Sequence, residues 1–237
     1  MKSFKQSLKM IPIVFLASTG LACSTLTPMF GPSATPTPAP TPRPMRDGTM
    51  IYSQDFENPN VEFFSSYTDS MEAGPVDGGY RVFIREPNWA SDLPLIYNET
   101  TVFSNNIIIE VDATKQGGPK DSSLMVVCRE DGTSKIVFEI WEDGRAHIVI
   151  YKNFKIENSV FDYLTELGVP FHSGLATNRL HIECVGTDAA LYVNGSLSLY
   201  MQTDVFAWGV VHLGAATYKE GGAEYIYDNL VVKKPAQ

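Results

Sequence analysis

The sequence holds little cysteine, histidine or tryptophan: three, four and three residues among 237. His147, His172, His181 and His212 are scattered without metal-ligand spacing, which argues against a zinc site. No Gly-rich phosphate loop, no nucleophile elbow and no sustained internal repeat occur. No long amphipathic period points to a helical bundle, and the apolar run Met10–Leu21 is too short to span a bilayer as a helix. Basic residues are outnumbered, 18 against 27 acidic, for a formal charge of −9. That balance argues against nucleic acid or anionic lipid as partner, and the dispersed acids suit solubility.

What is present at the N-terminus is an export pattern. Lys2, Lys5 and Lys9 precede the apolar run, and Gly20-Leu21-Ala22 gives a small-x-small cleavage site directly before Cys23. Residues 1–22 thus read as a signal peptide. Losing its three lysines leaves 15 basic against 27 acidic residues, a charge near −12. The arrangement resembles a bacterial lipoprotein signal, which implies lipidation of Cys23. Residues 23–49 then form a linker in which Pro36, Pro38, Pro40, Pro42 and Pro44 alternate with Thr, Ala and Arg. Proline fixes an extended conformation, so Pro32–Pro44 would span roughly 40 Å at ~3.1 Å per residue. The expected location is extracytoplasmic, with membrane contact through the lipid anchor only, or secreted if Cys23 is not lipidated.

Residues 50–237 read as one all-β domain. Period-two alternation marks strands at Met50–Phe56, Gly79–Arg85, Ile107–Ala113, Ser123–Arg129, Lys135–Glu142, Arg145–Tyr151 and Ala223–Val232. Asn178–Tyr218 holds four more runs in succession. One short helix is expected at Val160–Leu167, before Pro170. For the hairpin at Asn194-Gly195, a two-residue loop puts Tyr192 opposite Leu197 and Leu191 opposite Ser198. A three-residue loop, Val193–Gly195, puts Leu191 opposite Leu197 and Ala189 opposite Leu199; it leaves one face apolar and is the expected register. In Lys135–Tyr151, a loop at Glu142-Asp143-Gly144 pairs Ile140 with Ala146, Phe138 with Ile148 and Ile136 with Ile150 on a core face. The opposite face carries Trp141 beside Arg145, Glu139 beside His147, and Lys135 beside Tyr151.

The stretches DGGYRV (Asp77–Val82), IEVDA (Ile109–Ala113), FEIWEDG (Phe138–Gly144) and NRLHIECVG…LYVNG…FAWGVVHLGAATY…YDNLVV resemble the concanavalin A-like lectin/glucanase superfamily. Within it they are closest to laminin-G-like or keto-disaccharide-hydrolase-like domains of bacterial surface lipoproteins. The resemblance implies a two-sheet antiparallel jelly-roll sandwich whose concave face often binds carbohydrate.

A sugar site needs a ring to cover apolar C–H faces and polar groups to bind hydroxyls. Trp141 is the expected platform, with Glu139, His147, Arg145 and Tyr151 around it, and Glu110 and Asp112 as further candidates. Glu110 and Asp112 lie on one strand face, roughly 6–7 Å apart at ~3.3 Å rise. Laminarinase-like members of the superfamily carry a further Glu on such a strand; here Thr114 and Lys115 stand in its place, so the hydrolytic pair is incomplete. No catalytic residue is assigned. Cys128 and Cys184 both face inward by parity, as a disulfide or as two buried thiols. Asp55, Glu57 and Asp228, near the two chain ends, are the candidates for a structural calcium; otherwise no cofactor is expected. Trp208 with Phe206 reads as partial core, and Trp89 falls in a loop. Asn98-Glu99-Thr100 matches a glycosylation pattern that a bacterial origin would leave silent. The expected function is a monomeric module that binds glycan, against a sugar-derivative hydrolase or a protein-binding adhesion domain.

Overall fold

A computed structural model describes residues 43–57, 65–94, 106–204 and 208–236. Cys23, Asn98-Glu99-Thr100 and Phe206 lie outside the described residues. In chain order the strands are β1 (Gly48–Gln54), β2 (Ser66–Tyr67), β3 (Met71–Val76), β4 (Gly79–Ile84), β5 (Ala90–Pro94), β6 (Ile107–Gly117), β7 (Ser122–Glu130) and β8 (Lys135–Trp141). They continue with β9 (Arg145–Lys152), β10 (Lys155–Tyr163), β11 (Thr177–Val185), β12 (Asp188–Val193), β13 (Ser196–Gln202), β14 (Val210–Thr217) and β15 (Ala223–Pro235).

Two antiparallel sheets form the sandwich. Among the described residues nine strands make up the first, eight in the order β13-β12-β11-β6-β15-β4-β3-β2 with β1 alongside β15, and six make up the second, in the order β10-β9-β8-β7-β14-β5. Between them lies one core to which both sheets contribute: Phe138, Ile148, Ile136 and Ile150 from β8 and β9, Ile109, Val111, Ile182 and Leu191 from β6, β11 and β12. Two tyrosines of β15 tie the sheets with polar bonds. The fully buried Tyr227 hydroxyl donates to Gly214 O at 2.5 Å and accepts from Met125 N at 3.1 Å, while Tyr225 Oη lies 3.0 Å from Ser122 Oγ. Such bonds satisfy hydroxyls that would otherwise be costly to bury. A third tie is covalent. Cys128 on β7 and Cys184 on β11 form a disulfide with Cα atoms 6.8 Å apart, so the sheets converge locally at that end.

The β8–β9 hairpin has the expected register, with Ile140 opposite Ala146, Phe138 opposite Ile148 and Ile136 opposite Ile150. Gly144, at φ +83°, closes its loop with a bond from its N–H to Trp141 O.

The β12–β13 hairpin corrects the expected register. Asn194 (φ +49°) and Gly195 (φ +84°) form a two-residue left-handed turn, with Val193 opposite Ser196 and Tyr192 opposite Leu197. The pairing then shifts by one residue at Ser198, placing Leu191 opposite Leu199 and Ala189 opposite Met201. The bulge reconciles two demands: the tight turn that Asn-Gly favours and the apolar inner face that burial requires.

The helix expected at Val160–Leu167 is absent. Residues through Tyr163 belong to β10, with Val160 opposite Ile148 and Phe161 opposite His147, and the chain turns over residues 164–168. A helix of two turns is marginal, whereas the free edge of β9 offers a full ladder. Trp208, expected as partial core, is exposed because it stands in the connector before β14. Residues 43–47, assigned above to the linker, are packed on the domain: Arg43 and Arg46 both bond Asp188, and Arg46 N donates to Glu183.

Candidate functional site

The outer face of the six-stranded sheet carries a small apolar cluster of its own. Met125, Val127, Val137, Val149 and Ala216 are buried there, with Tyr151 and Tyr218 packed against them. Alternation supplies this face: on β7, β8, β9 and β14 every residue between two core residues points outward. Above it lies a groove of about 580 Å³, whose lining includes Trp89, Glu139, Trp141, His147, Tyr151, Phe161 and Tyr218.

Trp141 is the floor of this groove rather than an exposed platform. Only 6% of it is accessible. Tyr218 stacks on it at 5.7 Å, the Phe161 edge meets it at 6.4 Å, and the Arg145 guanidinium sits 5.1 Å from its ring centre. Arg145 is held there by Asp143 at 2.8 Å and Asp121 at 3.0 Å. Arg145 comes from the same hairpin, but Tyr218 and Phe161 come from other segments, which is why alternation within the hairpin alone predicts an open ring. The rings that remain open to a ligand are Trp89 and Phe161, 44% and 47% exposed. Trp141 Nε1 is buried without a hydrogen-bond partner among the described residues.

Polar groups gather at two places. In the first, Glu139 accepts from Tyr218 Oη at 3.3 Å and Ser123 Oγ at 3.4 Å, and His147 Nδ1 is 3.6 Å away. Burial, together with the Glu139 charge, raises the Tyr218 phenol well above its ordinary value. In the second, Lys135 Nζ bonds both Asp92 oxygens at 2.8 and 3.0 Å, with Glu130 at 3.6 Å and His212 Nδ1 at 3.5 Å from Asp92. Burial alone would raise the Asp92 carboxyl, but His212 and Lys135 outweigh it and hold it at about 2 against an ordinary 3.8. Because the folded value is the lower one, this carboxylate stabilises the fold fully above about pH 4, and its contribution of about 2 kcal/mol disappears as pH falls toward 2. Urea midpoints at pH 5 and pH 2.5 should therefore differ less in Asp92→Asn than in the parent. An equal drop in both would refute the assignment.

Glu110 and Asp112 are not in this groove. They lie on β6 in the other sheet, paired with Arg179 at 3.0 and 3.2 Å; Lys233 adds a bond to Glu110 at 2.7 Å and Asn229 one to Asp112 at 2.9 Å. Burial works against ionisation of Glu110, but Lys233 and Arg179 prevail and lower its carboxyl, the opposite of what a general acid needs. Alternation places two residues on one face of a strand but does not say which sheet the strand joins. Nor do the three calcium candidates converge. Asp55 borders a hollow of about 390 Å³ that also contains Arg179, an unfavourable neighbour for a cation. Its Oδ1 accepts from Glu57 N, and Asp228 accepts from Asn229. Among the described residues no three His, Cys, Asp or Glu side chains group as a metal site.

Sequence patterning assigns no site role to Trp89, Phe161, Tyr218 or Ser123, and does not bring Asp92, Lys135 and His212 together. Tyr218 shares parity with Ala216 on β14 and could have been placed, whereas Phe161 was hidden by the expectation of a helix.

No protein-family model matches the sequence, and no curated protein does. Solved structures do resemble it. A protein of unknown function with a galectin-like fold from Bacillus subtilis aligns at TM-score 0.59 and 10% identity, over 81% of this chain and 100% of that one. The catalytic domain of an endo-1,3-beta-glucanase (laminarinase) from Thermotoga petrophila RKU-1 aligns at 0.56 and 16%, over 81% and 100%. The beta-glucanase of Bacillus licheniformis aligns at 0.54 and 12%, over 80% and 99%. At these identities the likeness is one of fold alone: the chain shares the two-sheet antiparallel jelly-roll sandwich of these structures.

Proposed function

We propose that this protein is a glycan-binding module carried outside the cytoplasm on a lipid-anchored, proline-rich stalk, with the groove of the six-stranded sheet as its sugar site. The observation that carries the reading is the groove's makeup. Exposed rings of Trp89 and Phe161 stand over a floor of Trp141, Tyr218, Glu139 and His147, and apolar ring faces beside hydrogen-bonding groups suit a pyranose. The export pattern ending at Cys23 and the disulfide, a bond that persists in oxidising surroundings, support the location. A binding role is favoured over hydrolysis because hydrolysis normally takes two carboxylates across the scissile bond. Glu139 lines the groove, whereas Asp92 is committed to Lys135 and the Glu110–Asp112 pair lies in the other sheet.

The test is affinity electrophoresis and glycan-array binding with a soluble chain starting at Ser24, which keeps every described residue. Trp89→Ala should weaken binding about tenfold, as loss of an aromatic contact at the centre of an interface does. Its melting temperature should stay within a degree or two of the parent, since the ring is substantially open to water. Absence of binding to any glycan, or binding unchanged in Trp89→Ala, would overturn the site. Release of reducing ends from oligosaccharides would overturn the noncatalytic reading.

A further inference from the structure

We infer that the glycan taken by this groove carries a protonated amine, that is, an amino sugar lacking its N-acetyl group, with the ammonium set against Glu139. The inference rests on the glycan reading above and adds the ligand's charge class.

The argument is an accounting of charge on one sheet face. Glu139 sits in the groove floor with its side chain only 12% exposed. Its neighbours are the Tyr218 and Ser123 hydroxyls, at hydrogen-bond lengths of 3.3 and 3.4 Å, and His147 Nδ1 at 3.6 Å. Among the described residues no lysine or arginine pairs with it. The cations nearby are committed elsewhere: Arg145 to Asp143 and Asp121, Lys135 to Asp92 and Glu130. Each of those carboxylates shares a lysine or arginine with a second carboxylate, whereas Glu139 has neither and only the His147 imidazole beside it. Removing a carboxylate from water without a cationic partner is costly, and a ligand ammonium would remove that cost when it binds.

The aromatic lining acts in the same direction. Tyr218 and Phe161 each contact Trp141 beside Glu139, and ring faces carry negative quadrupole potential that attracts cations. A neutral sugar can hydrogen-bond Glu139 but leaves the charge uncompensated. A uronic acid or a phosphorylated glycan would place a second negative charge beside it. The chain's formal charge of −9 adds the same bias at long range. The expected order of affinity is therefore amine-bearing, then neutral, then acidic.

The test compares a matched pair, the glucosamine hexamer and its fully N-acetylated counterpart, by calorimetry with the soluble chain starting at Ser24; a neutral β-1,3-glucan hexamer is the third probe. The amine form should bind about tenfold tighter or more than the acetylated one. Glu139→Gln should bring that ratio close to one. Asp69→Asn, which removes an equal charge from an exposed turn between β2 and β3, should leave the ratio as it was. Equal affinity for the matched pair, or an equal loss of preference in both variants, overturns the inference. If neutral glycans bind in a Trp89-dependent way without preference for the amine, the charge assignment fails and the glycan site stands. If the folded protein retains none of the three probes and no glycan on the array, both fall.

Discussion

Reducing the Cys128–Cys184 bridge should cost about 4 kcal/mol of stability. The two cysteines are 56 residues apart in sequence, and closing a loop of that length in the unfolded chain corresponds to about that energy in the chain-entropy account. For a domain of this size the melting midpoint should fall by roughly 10 °C. The bridge joins the sheets rather than neighbouring strands, and the loop it closes contains β8, β9 and β10, the strands that supply half the groove. Its surroundings are built to bring the sheets together. Arg129, next to Cys128, adopts φ +57° at a shift in the β7–β14 register, and its buried guanidinium donates to Gly186 O at 2.8 Å. Gly186 N in turn donates to Asn106 Oδ1 at 2.6 Å. Thermal unfolding with and without reductant, repeated on Cys128→Ala/Cys184→Ala, measures the effect. A midpoint that moves less than about 3 °C would show that the sheets do not depend on the bond.

The Lys135–Tyr151 hairpin was legible because only one register gives it an apolar face and because Asp143-Gly144 demands a left-handed turn at the right place. The inward direction of both cysteines was legible by the same parity, although the convergence that lets opposed sheets bond was not. At Asn194-Gly195 both local signals were sound, yet they conflicted until a bulge at Ser198 satisfied them together. Bulges answer to the whole sheet, so a single strand does not reveal them. The groove was legible as a face but not as a surface. Which side chains share the outer side of β8 and β9 follows from alternation. Whether Trp141 is open depends on Tyr218 and Phe161, which arrive from β10 and the segment after β14. The misplacement of Glu110 and Asp112 has a related origin, since strand order within and between sheets is a long-range property that period-two patterning does not encode.

Stripping the two arginines from the start of the domain should harm it more than deleting the segment that carries them. Glu183 is fully buried on β11, and its charge is met from outside the sheet by residues 43–47. Arg46 N donates to its Oε1 at 2.6 Å, with the Arg46 and Arg43 guanidinium groups 3.6 and 3.9 Å from Oε2. Both arginines also bond Asp188 Oδ2 at 2.6 Å, while Tyr200 Oη bonds the other oxygen at 2.7 Å. In Arg43→Ala/Arg46→Ala the main chain still covers Glu183 while both guanidinium groups are gone and only the His181 imidazole, 3.4 Å from Oε1, remains beside it; a buried carboxylate stripped of its cations costs about 3 kcal/mol or more. In a chain beginning at Gly48 the cover leaves with the cations and water reaches the carboxylate, so the loss should be smaller, about 1 kcal/mol, near the value of an exposed pair. Glu183→Gln removes the charge itself, so adding it to the double alanine variant should recover much of the lost stability. Urea unfolding of the four chains gives the ordering directly. If the truncated chain proves the least stable, or if Glu183→Gln rescues nothing, residues 43–47 act by packing and the charge on Glu183 is incidental.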